Sequence, residues 1–365
     1  VHGLLPIWSH MANENWCMIG YHGASVVADA CVKGIEMDRE LGLEAVVSSS
    51  TVPYLEGLAE YMESGYVPQE RSSSSASVTL EYGYDDWAIY NMARVMGEQE
   101  IANKYFKRAK AYKHLIDPKL GFIRPRDRAG NWKADFDVLD THGQGFIEGN
   151  SWNYSFYIPQ DVNGLKAFMG GDKRFIERLD SLFTMELPAK YYANTEDITA
   201  EGLMGNYVHG NEPSQHIPYL YMWTSQPWKT QYRLREIMDR MYRNNIDGLC
   251  GNDDCGQMSA WYIFSAMGFY PVCPGSDQYV LGAPCFKEMT VHLENGKKLV
   301  IKAPRVSAEN RYVRSVKWNG EEYKKAYLTH EALREGGELY FEMGATPNKK
   351  RLFTKEQKPY SMTKE

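Results

Sequence analysis

No apolar run in the 365 residues approaches the length of a bilayer-spanning helix, so the chain is not read as an integral membrane protein. Basic residues are not in excess. The net charge is -6 and no basic cluster is interleaved with aromatics, which argues against nucleic acid as a partner. Cysteine is sparse: Cys17, Cys31, Cys250, Cys255, Cys273 and Cys285 form no CxxC pair and no zinc-ligand spacing. They permit disulfides without requiring them. No initiator Met, charged n-region or signal-like apolar stretch opens the chain. Its first residues, from Val1 to Trp8, read as the interior of a folded domain, and the expectation is a piece of a longer protein.

Aromatics are plentiful, at 13%, with 26 Tyr and 9 Trp. Their faces stack on the apolar faces of sugar rings, although a large aromatic core explains most of them whatever the function. Hydrophobic content of 43% and charged content of 24% describe an ordinary globular chain, long enough for one large domain or a large one with an appendage.

Residues 20–270 read mainly as helices separated by glycine- and proline-rich loops. Helical spacing or helix signals mark 24–35, 53–63, 75–96, 100–115, 162–169, 173–183, 213–223, 227–242 and 254–267. The stretch 75–96 is read as amphipathic, with Leu80, Trp87, Tyr90, Met92 and Val95 on one broad face. Helix pairs joined by long loops suggest an α/α toroid over residues 1–275. After Pro274 short strand-like runs at 288–293, 298–303, 312–318 and 339–343 alternate with turns such as Asn319-Gly320. The expectation for 276–365 is a small all-β, sandwich-like appendage with a lysine-rich tail from Pro347 that packs poorly.

The chemistry concentrates in glycine-flanked acidic motifs. Gly251-Asn252-Asp253-Asp254-Cys255-Gly256 lies at the start of an almost wholly apolar helix, where Asp either caps the helix or serves as a base. Glu148-Gly149-Asn150-Ser151-Trp152 follows Phe146-Ile147. A carboxyl held against apolar and aromatic surface is desolvated and suited to act as a general acid. His209-Gly210-Asn211-Glu212-Pro213-Ser214 concentrates hard oxygen donors of the kind Ca2+ takes, and also resembles a helix start. Glu81 to Trp87 places acids and aromatics together, as a helical face or as a site. Two carboxyl groups flanking a scissile bond are the general requirement of glycoside hydrolysis.

These motifs, together with Gly3-Leu4-Leu5-Pro6-Ile7-Trp8, Met18-Ile19-Gly20-Tyr21-His22 and Gly268-Phe269-Tyr270-Pro271-Val272, resemble the glycoside hydrolase family 92 α-mannosidases from Gly3 through the β appendage. The resemblance implies an exo-acting, Ca2+-dependent enzyme that releases terminal mannose from mannosides or N-glycans with inversion. It implies an (α/α)6 barrel that follows an N-terminal β-sandwich, with the sandwich and a tryptophan–aspartate–threonine motif expected before Val1. It assigns Glu148 as general acid and Asp254 as general base, with Asp253 orienting the water or supporting the calcium shell. Asn211, Glu212 and Asn252 become expected Ca2+ ligands. Trp87, Asp86, Trp152, His22 and His209 become expected sugar contacts. A periplasmic, extracellular or cell-surface location follows from the family alone. Two other readings stand beside it: a glucoamylase- or trehalase-type glycosidase, and a carbohydrate-binding fragment without catalysis.

Overall fold

The computed structural model describes residues 3–11, 13–191 and 200–364. It is mainly helical with several sheets, and its contacts separate two units. The first comprises Val1–Gln160, Pro188–Tyr192 and Cys273–Asp277; the second comprises Asp161–Leu187, Ala193–Val272 and Gln278–Glu365. Among the described residues no helix is long and apolar enough to cross a membrane.

In the first unit, α1 (Gly23–Val32), α2 (Arg39–Ser49) and α5 (Gln99–Arg108) pack on α4 (Ser75–Met96), with the short α3 (Leu58–Ser64) between. The helix α4 has the bounds its spacing predicts, and Gly97, at φ +84°, closes it by donating to the carbonyls of Ala93 and Arg94. Its amphipathic reading does not hold. Nearly its whole circumference is buried, acids included, with Val95 exposed near its end. Small residues at Ser75, Ala76, Ser77, Ala88 and Ala93 let neighbours approach, while the acids find partners described below. The expected helix at 53–63 starts only at Leu58. That at 100–115 ends at Arg108 and resumes as a 3-10 turn, Ala111–Leu115. A further short helix, α6 (Ser151–Tyr154), is opened by a reciprocal cap between Asn150 and Asn153.

In the second unit, α7 (Val162–Phe168), α8 (Asp172–Thr184) and α9 (Trp228–Met241) appear where helical spacing places them. The expected helix at 213–223 is instead two 3-10 segments, Glu212–Ser214 and Ile217–Trp223. Pro218 removes an N–H that an α-helix over 213–223 would need, whereas Pro213 at its first position would be tolerated. A last long helix, α10 (Gln257–Met267), starts three residues later than expected.

Five strands form one sheet in the order Glu321–Glu322, Tyr312–Trp318, Gly337–Gly344, Lys298–Lys302 and Glu288–His292. The pair Gly337–Gly344 and Lys298–Lys302 runs parallel, and the others run antiparallel. Leu339, Phe341 and Met343 alternate inward and are buried. The hairpin turn follows the sequence signal, since Asn319 (φ +50°) and Gly320 (φ +86°) both hold the left-handed backbone. A second sheet, Tyr327–Thr329, Gln278–Leu281 and Phe269–Tyr270, was not evident from the sequence.

The tail packs, contrary to the sequence reading. Phe353 and Met362 are buried, and the fully buried Asp161 carboxylate accepts from the Ser361 hydroxyl, the Thr363 hydroxyl and the Thr363 N–H at 2.8–2.9 Å.

Candidate active site

In the first unit, the segment carrying Glu148 hangs from the N-terminal turn of α4. The N–H groups of Ala76 and Ser77 donate to the Gly145 carbonyl, and Ile147 N–H donates to Ser77 Oγ at 3.2 Å. Phe146 is buried against Tyr154, with ring centroids 5.6 Å apart. Glu148 follows, half-buried, with φ at +49°. A side chain rarely tolerates that backbone, and such outliers persist where the surroundings over-determine them, often at functional sites. The Asn150 cap fixes the chain directly after it. Half-buried Trp152 tilts against Phe122 at 4.9 Å.

The acids of α4 fall into two networks. Glu81 and Asp85, one turn apart, clamp His22: Nε2 lies 2.7 Å from Glu81 Oε2 and Nδ1 lies 2.8 Å from Asp85 Oδ1. Burial opposes a charge on His22, but Asp85 and Glu81 outweigh it and raise the pKa well above the usual histidine value. The two acids thus favour the imidazolium form of the ring. Asp86 points elsewhere. It accepts from the hydroxyls of Tyr21 and Tyr61, each at 2.7 Å, and from Arg108 Nε at 2.8 Å. Burial raises the Asp86 pKa, while Arg108 and the two tyrosines pull it down. Trp87 is buried, its ring beside Gly275. The sequence reading named Asp86, Trp87 and His22, quoted Tyr21 in a motif without giving it a role, and missed Tyr61 and Arg108, which lie away in sequence and carry no motif.

In the second unit, the acidic turn and the Asn211-Glu212 loop are neighbours. A Cβ at Gly251 would sit 2.5 Å from the carbonyl oxygen of Gly210, so only glycine allows this approach of two backbones. The turn then runs through Asp254 (φ +45°) and Cys255 (φ +57°) into Gly256, the N-cap of α10. Capping falls to Asp253: its Oδ1 accepts from Ser259 N–H at 3.0 Å and Ser259 Oγ at 2.9 Å. Among the described residues the half-buried Asp254 carboxylate takes no hydrogen bond or ion pair.

His209 locks this arrangement from behind. Tyr242 donates its proton to the Met258 carbonyl at 3.2 Å, so His209 Nε2–H donates to Tyr242 and Nδ1 accepts from Tyr207, both at 2.7 Å. Burial lowers the His209 pKa to about 3, and the ring stays neutral. It lies 4.3 Å from Trp261, whose indole N–H donates to the Gln215 carbonyl. Loop and helix are thereby fixed together. Replacing Gly251 with Ala is expected to force the two backbones apart and lower the unfolding free energy by about 1–3 kcal/mol. Urea unfolding reads this, and a change within about 0.5 kcal/mol would show that the approach is not constrained.

A family model described as the glycosyl hydrolase family 92 catalytic domain matches residues 1–345. The chain belongs to glycosyl hydrolase family 92. A solved family 92 α-mannosidase of Bacteroides thetaiotaomicron is 43% identical with a TM-score of 0.94, over 100% of this chain and 48% of that one. Its complex with mannoimidazole superposes with a TM-score of 0.95 at 42% identity, over 100% of this chain and 48% of that one. A family 92 inverting mannosidase of the same organism is 39% identical with a TM-score of 0.90, over 99% of this chain and 51% of that one. An uncharacterized secreted glycosidase of Arthroderma benhamiae is 27% identical over 94% of this chain and 47% of its own length. This family 92 chain thus spans about half the length of the relatives it matches.

Proposed function

We propose that this chain is the C-terminal catalytic portion of an inverting, calcium-assisted exo-α-mannosidase that removes terminal mannose from mannosides or N-glycans. The observation that carries the reading is that Glu148 and Asp254, the expected acid and base, both hold left-handed backbone that their residue types seldom adopt. The family membership supports glycoside hydrolysis, and the named mannosidases among its relatives support mannose as the sugar.

In this reading Glu148 gives its proton to the glycosidic oxygen as the bond to the anomeric carbon breaks. Asp254 takes a proton from the water that attacks the opposite face, and the sugar leaves with inverted configuration. Asp254 suits the base role better than Asp253, whose Oδ1 already accepts two hydrogen bonds from Ser259. Asp253 therefore holds the turn in place and orients the water. His22, half-buried, and Trp152 retain surface for a sugar, whereas Asp86, Trp87 and His209 act by fixing the elements around it.

Asn211 and Asn252 offer amide oxygens and Glu212 a carboxylate, hard donors that fit Ca2+. Among the described residues no group of three or more His, Cys, Asp and Glu side chains is gathered for a metal. A bound Ca2+ would supply electrostatic positioning of mannose hydroxyls. The proposal includes an (α/α)6 barrel over 1–275, a β appendage over 276–365, an N-terminal β-sandwich in the parent protein, and a location outside the cytoplasm.

The deciding experiment is hydrolysis of an α-mannobiose panel by the full-length protein, with and without EDTA, with the released anomer followed by NMR. Inverted mannose and loss of turnover in EDTA are expected. Retained configuration, or activity on an aryl α-glucoside that survives EDTA, would overturn the reading. Glu148→Gln should slow mannobiose hydrolysis by about 10²–10⁴-fold while sparing an aryl mannoside whose leaving group needs no proton. Equal loss on both substrates would remove Glu148 from the acid role.

A further inference from the structure

A cavity of about 310 Å3 opens in the second unit between the strand Tyr312–Trp318, residues 322–324 and the segment 348–357. That volume is at the small end of ligand sites. Four cations line it, Arg314, Lys324, Lys350 and Arg351, against the single carboxylate of Glu322, in a chain whose net charge is -6. Two of the cations have fixed partners: Arg314 Nη1 donates to the Thr346 carbonyl at 2.9 Å, and Lys324 lies 3.5 Å from Glu322. Arg351 differs. Its guanidinium lies over the Phe353 ring, 4.9 Å from the centroid, and its Nη2 is buried with no hydrogen-bond partner among the described residues. Burial lowers the Arg351 pKa to about 10, with Glu322 opposing only in part. A buried charged donor without an acceptor is costly, and an acceptor arriving in the cavity would satisfy it.

We propose that this cavity is an oxyanion-binding site, in which Arg351 and Lys350 receive a phosphate or sulfate group, free or carried on a sugar. A guanidinium offers a planar fork that matches two oxygens of such a group, and the Phe353 face holds that plane in position. Lys350, exposed and two residues beyond Asn348, adds a mobile point charge. Nothing in this site depends on the mannosidase reading, because none of its residues belongs to the motifs that carry it.

Isothermal titration of the full chain with inorganic phosphate, sulfate, a hexose 6-phosphate and the unphosphorylated hexose tests the proposal. Binding of the three anions but not of the plain hexose is expected. Equal affinity for phosphate and hexose phosphate identifies a free oxyanion, and tighter hexose phosphate identifies one carried on a sugar. Arg351→Met should weaken binding about tenfold and Arg351→Lys less, because Lys keeps the charge without the fork. Should Arg351→Met fail to fold, the exposed Lys350→Ala variant decides, with an expected weakening of about threefold. Absence of anion binding, equal binding of the plain hexose, or affinity unchanged in the folded variants would overturn the proposal.

Discussion

Asp254→Asn is expected to lower kcat on an α-mannoside by about a thousandfold in the full-length protein, with KM and thermal stability little changed. The substitution replaces one carboxylate oxygen with an amide nitrogen and keeps the shape. Asn also tolerates the left-handed backbone that the turn requires at φ +45°. No protein hydrogen bond or ion pair is lost among the described residues, so the fold has no reason to respond. What disappears is the capacity to accept a proton from water. Asp253→Asn makes the informative contrast: the amide oxygen still accepts from Ser259, so helix α10 keeps its cap and the rate falls less. Steady-state kinetics on both variants, with melting curves alongside, separates the two acids. An Asp254→Asn enzyme retaining more than about a tenth of its kcat would remove this residue from the base role.

Asp86→Ala should cost about 3–5 kcal/mol of unfolding free energy, the largest stability loss expected of any single substitution at these sites. The carboxylate is fully buried and joins Arg108, Tyr21 and Tyr61. Its removal strands a guanidinium left with the Tyr21 hydroxyl, the Ser50 carbonyl and the faces of Tyr61 and Tyr105. Asp86→Asn keeps an acceptor for one tyrosine but not the charge, and should fall between. Urea unfolding reads both. A loss below about 1 kcal/mol, the size of a surface pair, would mean that water reaches Arg108 in the variant and that the network is not closed.

Much of the frame was legible. The extent of α4 followed from its helical pattern and the glycine that ends it, and the Asn319-Gly320 hairpin followed from two residues that accept left-handed backbone. The glycine-flanked motifs drew attention to Glu148 and to the pair Asp253-Asp254, and the resemblance alone favoured Asp254 of the two. The backbone strain at Glu148 and Asp254 was not legible, because an Asp or a Glu gives no sign that its φ is positive. The helix α2 escaped notice because Gly42 lowers its helical propensity, although Asp38 caps it by accepting from Leu41 N–H. The burial of Asp86 was also hidden. An acid within a helix reads as a solvated face until the distant arginine that neutralises it is found, and Arg108 lies on another helix. The break into 3-10 segments at 212–223 was foreshadowed by Pro218, five residues into the stretch read as one helix.

The Asp161 staple has a consequence for how the protein is made. Its carboxylate opens α7 by accepting from Gly164 N–H, yet it also receives Ser361 and Thr363, about two hundred residues later in synthesis. At roughly 5–20 residues per second, the ribosome leaves this buried acid without those partners for some ten to forty seconds. During that interval the second unit holds a carboxyl group it has not yet enclosed. Its final cooperative closure waits for the last residues of this stretch to emerge.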